Sequence, residues 1–383
     1  MPAGKAIKAA PAAAPASGGD RISALPDELL HRVLSLLPAQ QVVQTCVLAR
    51  RWLHLWKSAP GLCVVGSDGK APAPFEEVRE FVDSLLLLRG SSPLQRFELR
   101  IAGAAIDVRR LRLWVRCPAL QRLCIEDCVF IHAQRISSQS VKNLTIMRST
   151  FNRSSRIRIH TPNLASLVLQ VSHGRTPVLD RMPLLVSARV GIFRNIDCCS
   201  RSINGDCGDE SCNGCIQNDT SPVLLHGLSQ VKTLELLALA ETFIFRRDLK
   251  WCPTFSQLKR LGLNEQLCVP DVHGLACLLE HSPVLEKLAV LLFYKGHGRN
   301  VTMIGRFNPK ELPPTISVHL KSVQVICGAL DERVVGVLKF LSKLNIILKW
   351  SGSVSGKDKS TKKLNKHAVL AVPIMWLDLN KIT

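Results

Sequence analysis

One apolar fragment recurs nine times along this chain, and it limits the fold more than any other feature. Its form is L-x-x-L-x-L with conservative swaps: Leu94-Phe97-Leu99, Leu120-Leu123-Ile125, Val141-Leu144-Ile146, Leu164-Leu167-Leu169 and Leu185-Ala188-Val190, then Val231-Leu234-Leu236, Leu258-Leu261-Leu263, Leu285-Leu288-Val290 and Leu320-Val323-Val325. Successive starts lie 26, 21, 23, 21, 46, 27, 27 and 35 residues apart; the 46 is about two periods, and the 35 is one period plus a loop. Side chains alternate between the faces of a strand, so the second and third apolar residues of each fragment share a face. One short strand cannot bury that face alone. Neighbours repeated at this spacing must stack and share a core. The prediction is a solenoid with one short strand per repeat.

A period of 20–29 residues with this core is the signature of a leucine-rich repeat. In each strand the residues flanking the two later apolar positions point away from the core, onto the concave sheet. They are Arg96, Glu98, Arg100, Arg122, Glu126, Asn143, Thr145, Arg189, Thr233, Glu235, Arg260, Asn264, Lys287 and Gln324. The set leans basic. Arg96, Arg100, Arg122, Arg189, Arg260 and Lys287 are therefore the candidate contacts to an acidic target. The whole chain is basic too: 50 Lys and Arg against 30 acidic residues give a net charge of +20. That excess also fits a nucleic-acid-binding protein. One tyrosine and six tryptophans, however, are few for a surface on which single-stranded bases stack.

The residues before the repeats have a different character. Residues 1–19 are an Ala/Pro tail with no apolar set to pack. Residues 20–60 predict three short helices. Pro26 suits a first helical position, with Asp27 and Glu28 favourable at the positive end. Leu29, Leu30, Val33, Leu34 and Leu37 follow at helical spacing and Pro38 stops the run. A second helix is expected over about Gln40–Ala49, and a third holds Trp52, Leu55 and Trp56. The stretch 61–93 reads as linker and one amphipathic helix, over 75–89. Residues 351–383 lose the repeat and form a basic, irregular tail with Lys357, Lys359, Lys362, Lys363 and Lys366.

The motif positions in 20–60 are Asp20-Arg21-Ile22-Ser23, Leu25-Pro26-Asp27-Glu28-Leu29-Leu30, Val33-Leu34-Ser35-Leu36-Leu37-Pro38, Val47-Leu48 and Arg51-Trp52 with Leu55-Trp56. This pattern resembles a plant F-box, with Gln41 where an acidic residue is usual and Ala49 where Ser is usual. An F-box before irregular repeats is similar to the plant F-box/LRR group. LKSVQVICGALDERVVGVLKFL resembles the start of an FBD domain, giving a partial FBD region at about 315–350 inside a repeat domain of 94–350. The implied fold is α+β: a small all-helical F-box followed by an irregular leucine-rich-repeat α/β solenoid. The implied function is the non-catalytic substrate-recognition subunit of an SCF-type cullin–RING ubiquitin ligase, with a basic nucleic-acid-binding or ligand-sensing leucine-rich-repeat protein as the alternative. The resemblance implies docking to a Skp-family adaptor, and through it to cullin and RING subunits, by Leu25, Pro26, Leu29, Val33, Leu34, Leu37, Val47, Trp52 and Trp56. Some of these, Val33, Leu34 and Trp52 above all, also suit holding the three helices together. A forty-residue unit has too little core to hide all of them.

Nothing in the sequence points to catalysis: Walker-type G-x4-G-K-[ST], G-x-S-x-G and H-E-x-x-H are all missing. No cofactor is expected, and ligase chemistry would lie in a partner. No stretch reaches 18 uncharged apolar residues, and no export signal is read, so the expected location is cytoplasm or nucleus with reduced thiols. Residues 198–215 read CCSRSINGDCGDESCNGC, a loop in the 46-residue gap. Cys212 and Cys215 with Cys207 and Cys198 or Cys199 could ligate zinc. The adjacent Cys198-Cys199 pair is an unusual knuckle, and solvated thiols are the favoured reading.

Overall fold

The structure is a computed structural model. It describes residues 22, 25–66, 75–101, 105–107, 117, 119–131, 134–152, 156–193, 223–238, 245, 248–249, 251–268, 272–292, 320–327 and 332–342. The tail 1–19, the cysteine-rich segment 198–215 and the basic tail 351–383 lie outside these residues, as does the end of the FBD-like stretch beyond Ser342.

Three short helices open the described chain: α1 (Asp27–Leu34), α2 (Ala39–Gln44) and α3 (Trp52–Leu55). Pro26 precedes α1 at φ −59°, and its carbonyl accepts from Leu29 and Leu30. α2 is shorter than its sequence suggests. A tighter 3-10 turn over Thr45–Val47 replaces its second half, with Thr45 Oγ1 donating to the Val42 carbonyl at 2.7 Å. Such hydroxyl back-bonding competes with a continuing helix.

Strand β1 (Gly61–Val65) follows where linker was expected, and α4 (Phe75–Arg89) comes after it. β1 is also the end of the main sheet. It pairs in parallel with β2 (Arg96–Arg100), Leu62 opposite Phe97 and Val64 opposite Leu99. Leu62 and Val64 take the fragment's second and third positions, but Ala59 stands at the first, where the nine fragments have Leu or Val.

The nine fragments form nine strands of that sheet. After β2 come β3 (Ala105–Asp107), β4 (Arg122–Glu126), β5 (Val129–Ile131), β6 (Arg135–Ser137), β7 (Asn143–Thr150), β8 (Arg158–His160), β9 (Ser166–His173), β10 (Val178–Leu179) and β11 (Ser187–Ile192). β12 (Thr233–Ala238), β13 (Arg260–Asn264), α5 (His273–Glu280), β14 (Lys287–Leu292), β15 (Ser322–Cys327) and α6 (Glu332–Ser342) complete the described chain. The main sheet runs β1-β2-β4-β7-β9-β11-β12-β13-β14-β15, all parallel. β3 and β5 attach beside it, and β10-β8-β6 make a second, three-stranded sheet.

The register explains the repeat. Phe97, Leu123, Leu144, Leu167, Ala188, Leu234, Leu261, Leu288 and Val323 stand opposite one another across successive strands. Leu99, Ile125, Ile146, Leu169, Val190, Leu236, Leu263, Val290 and Val325 form a second row two residues on, and both rows are buried throughout. Apart from the smaller Ala188, each such side chain contributes about 1.5–3 kcal/mol by leaving water. A slip of one residue would turn a whole row outward. β11 pairs directly with β12, so the 46-residue spacing holds an insertion within one repeat step rather than a skipped strand.

Candidate functional site

The helical unit splits its apolar residues between two faces. Leu30 and Leu34 of α1 are 1% exposed and pack with Val42, Trp52, Leu55 and Trp56. On another side of the same helix Leu29 and Val33, four residues apart, are 46% and 49% exposed, and Leu25 just before the helix and Leu36 just after it are exposed as well. Val47, Leu48 and Leu53 add exposed apolar side chains, Val47 at 87%. Arg51 ties the start of α3 to the start of α1: its Nη2 donates to the Leu25 carbonyl at 2.8 Å and its guanidinium pairs with Asp27.

The nine residues expected at the adaptor contact therefore separate. Leu25, Pro26, Leu29, Val33 and Val47 lie on the surface. Leu37 is half-buried against the core. Leu34, Trp52 and Trp56 are buried inside the unit, where they pack with its core rather than face outward. The physical reason is the helix itself: Leu29 and Leu30 are adjacent in sequence but about 100° apart around the axis. Leu36, Leu48, Leu53 and Ile22 are also exposed apolar side chains, which the sequence reading did not place at the contact.

The unit is fastened to the sheet by polar contacts. Ser35 Oγ donates to the His31 carbonyl at 2.7 Å and accepts from Gly61 N–H at 3.0 Å. A Cβ on Gly61 would lie 2.8 Å from Ser35 Cβ, so this approach needs glycine. Gln40 Nε2 donates to the Val65 carbonyl at 3.0 Å. Arg89, buried at the end of α4, donates to the carbonyls of Trp56 at 3.1 Å and Ala59 at 2.6 Å. Desolvation lowers its pKa below the usual arginine value. A cation there suits the carbonyl-rich end of the last helical turn.

The outward-facing strand residues are less freely basic than their composition suggests. Arg96 Nε donates to Glu98 at 2.8 Å, and Arg100 pairs with Glu98 at 3.2 Å and Glu126 at 3.6 Å. Burial works against the Arg100 charge, but Glu126 and Glu98 outweigh it and raise its pKa. Arg189 Nε donates to Glu235 at 2.6 Å. Arg148, which sequence reasoning did not single out, donates to both Asp127 oxygens at 2.8 Å and to Glu126 at 3.0 Å. Arg122, Arg260 and Lys287 are exposed; among the described residues Arg122 and Lys287 have no ion-pair partner. At β12–β15 the outer face carries a hollow of about 350 Å³, with Glu235, Arg260, Gly262, Lys287, Ala289 and Gln324 in its lining. Gly262 and Ala289 make it by withholding side chains. A Cβ on Gly262 would meet Glu235 Cγ at 3.2 Å.

With this geometry in view, the comparisons decide the N-terminal unit. The F-box domain model matches residues 22–62. Those residues are an F-box. Beyond it, the chain is homologous to proteins of Arabidopsis thaliana. An F-box/LRR-repeat protein is 29% identical over 184 residues, covering 43% of this chain and 48% of the relative. An FBD-associated F-box protein is 37% identical, over 30% of this chain and 26% of its own length. An F-box/FBD/LRR-repeat protein is 40% identical over 25% and 21% respectively. In each of these, the chain spans less than half of the relative's length. Among the described residues no helix is long and apolar enough to cross a membrane.

Proposed function

We propose that this chain is the non-catalytic substrate-recognition subunit of an SCF-type cullin–RING ubiquitin ligase. The F-box docks a Skp-family adaptor through Leu25, Leu29, Val33 and Leu36, with Val47, Leu48 and Leu53 beside them. The observation that carries this reading is a helix divided lengthwise, with Leu30 and Leu34 sealed in the core and a second apolar stripe left in water. Such a stripe fits a groove between partner helices. The parallel sheet presents the target, and the β12–β15 hollow, with cationic Arg260 and Lys287 in its lining, is a seat for an apolar segment carrying acidic groups.

The mechanism is proximity rather than chemistry. Ser35, Gln40 and Arg89 join the F-box to the sheet through the contacts above, so a target on the sheet is held at a fixed offset from the adaptor. That raises the effective concentration of its lysines near the ubiquitin carried by other subunits. The test is co-purification of the full chain with a Skp-family adaptor, wild type beside a Leu29→Ala, Val33→Ala variant. Capture by the wild type and its loss in the variant are expected. A folded wild type that captures no adaptor removes the reading.

A further inference from the structure

Away from the F-box and the hollow, three metal-binding side chains converge at one point. Cys277 and His281 lie one turn apart on and just beyond α5, and Cys252 comes from the segment entering β13. Their ligand atoms all lie within 4.8 Å of one another. Cys277 Sγ and His281 Nδ1 are 3.9 Å apart. Tetrahedral zinc with bonds of about 2.3 Å to sulfur and about 2.0 Å to nitrogen would place them about 3.5 Å apart. We propose that Cys252, Cys277 and His281 form a zinc site with its fourth position open to water or to a ligand from outside.

Three observations carry the assignment. The first is the donor set, two thiols and an imidazole, which is the combination borderline-soft zinc selects. The second is a frame already in place. Phe255 N–H donates to the His281 carbonyl at 2.8 Å, holding the Cys252 segment against the helix end; the 3.7 Å hydrogen bond from the Cys277 thiol to the Leu249 carbonyl is given up when that thiol loses its proton to bind metal. The third is access: Cys277 is buried, but Cys252 and His281 are only half-buried, which leaves an entry path. The nearby Asp248 carboxylate does not compete. It accepts from the backbone N–H groups of Val223, Leu224 and Leu225. Cys128 and Cys268 are buried as well, but neither belongs to a donor cluster among the described residues. His281 Nδ1 also sits 2.9 Å from the Cys277 carbonyl oxygen, so ligation exchanges that hydrogen bond for the metal by a small turn of the ring. The metal would staple the segment before β13 to the helix before β14, behind two strands that line the hollow.

The site stands independently of the ligase reading and is tested without an adaptor. The experiment uses the full chain with Cys198, Cys199, Cys207, Cys212 and Cys215 changed to Ser, so that the cysteine-rich segment contributes no metal. Purified reduced and without chelator, it should hold one zinc per chain by elemental analysis. Cobalt(II) should replace that zinc with a tetrahedral, thiolate charge-transfer spectrum. Cys252→Ser should roughly halve that band, and Cys252→Ser and His281→Ala should each weaken zinc binding at least tenfold with circular dichroism unchanged. Both positions are half-buried, so the test does not hang on the folding of a Cys277 variant. No zinc in the reduced chain, wild-type zinc affinity in Cys252→Ser, or a Cys252–Cys277 disulfide in a chain that takes up no metal after reduction would each overturn the proposal.

Discussion

The F-box and the repeat sheet use the same residues, mostly leucine, to opposite ends. In the sheet every second apolar position faces the layer behind it, and the two rows from Phe97 to Val323 and from Leu99 to Val325 are buried to within 9%. In the F-box, α1 buries Leu30 and Leu34 but leaves Leu29 and Val33 at 46% and 49% exposure. The sheet satisfies its own apolar surface by repetition. The F-box is too small to do so. Leftover apolar surface is thus informative about partners in the helical unit, whereas in the sheet the informative departures are small residues such as Gly262 and Ala289 that open a hollow.

The largest effects should come from cutting the rows. Leu144→Ala or Leu263→Ala removes a fully buried side chain in mid-sheet and should cost about 2–5 kcal/mol, read from the urea midpoint. Leu34→Ala should behave like these sheet variants, because it belongs to the buried face of α1. Leu29→Ala should not; its stability should stay within about 0.5 kcal/mol of wild type while adaptor affinity falls. A Leu29→Ala variant that unfolds like Leu34→Ala would erase the distinction between the two faces.

The joint between the regions comes next. Arg89→Met keeps much of the aliphatic bulk but takes the guanidinium from the Ala59 carbonyl and from the Trp56 carbonyl, which keeps the Ala59 N–H, at a cost of about 1–3 kcal/mol. Limited proteolysis should then cut between the F-box and β2 earlier than in wild type. An unchanged cleavage pattern and midpoint would show that the apolar packing alone holds the joint.

The smallest effect belongs to the ion pairs on the outer face. Arg189→Gln should shift stability by less than about 1 kcal/mol, and less still in high salt, because the guanidinium is 41% exposed. A loss as large as that of Leu144→Ala would mean that the face is held by its charges rather than by the rows beneath.

Most of the architecture was legible because periodicity is a local record of burial. Nine fragments gave nine strands, and their spacing gave the parallel stack. β1 was not legible, since Ala59 stands where the fragment has Leu or Val and weakens the match made by Leu62 and Val64, and neither were β6, β8 and β10, whose two or three residues carry no alternation long enough to read. At the site, composition misled. Arg96, Arg100 and Arg189 read as contacts to an acidic target, but each pairs with a carboxylate of this chain: Glu98, two residues away on the same strand face, for the first two, and for Arg189 Glu235 on the next strand, a relation only register reveals. The Cys252, Cys277 and His281 cluster was hidden for the same reason. Cys252 lies 25 residues before Cys277 in the chain, without the close spacing that marks a zinc knuckle.

The most direct measurement is the affinity of a Skp-family adaptor for the full chain and for Leu29→Ala, Val33→Ala, with thermal unfolding of each recorded alongside. The account predicts a loss of about 2 kcal/mol or more in binding, roughly thirtyfold, at an unchanged unfolding temperature. Wild-type affinity in that variant would contradict the claim that the exposed face of α1 is where the adaptor docks.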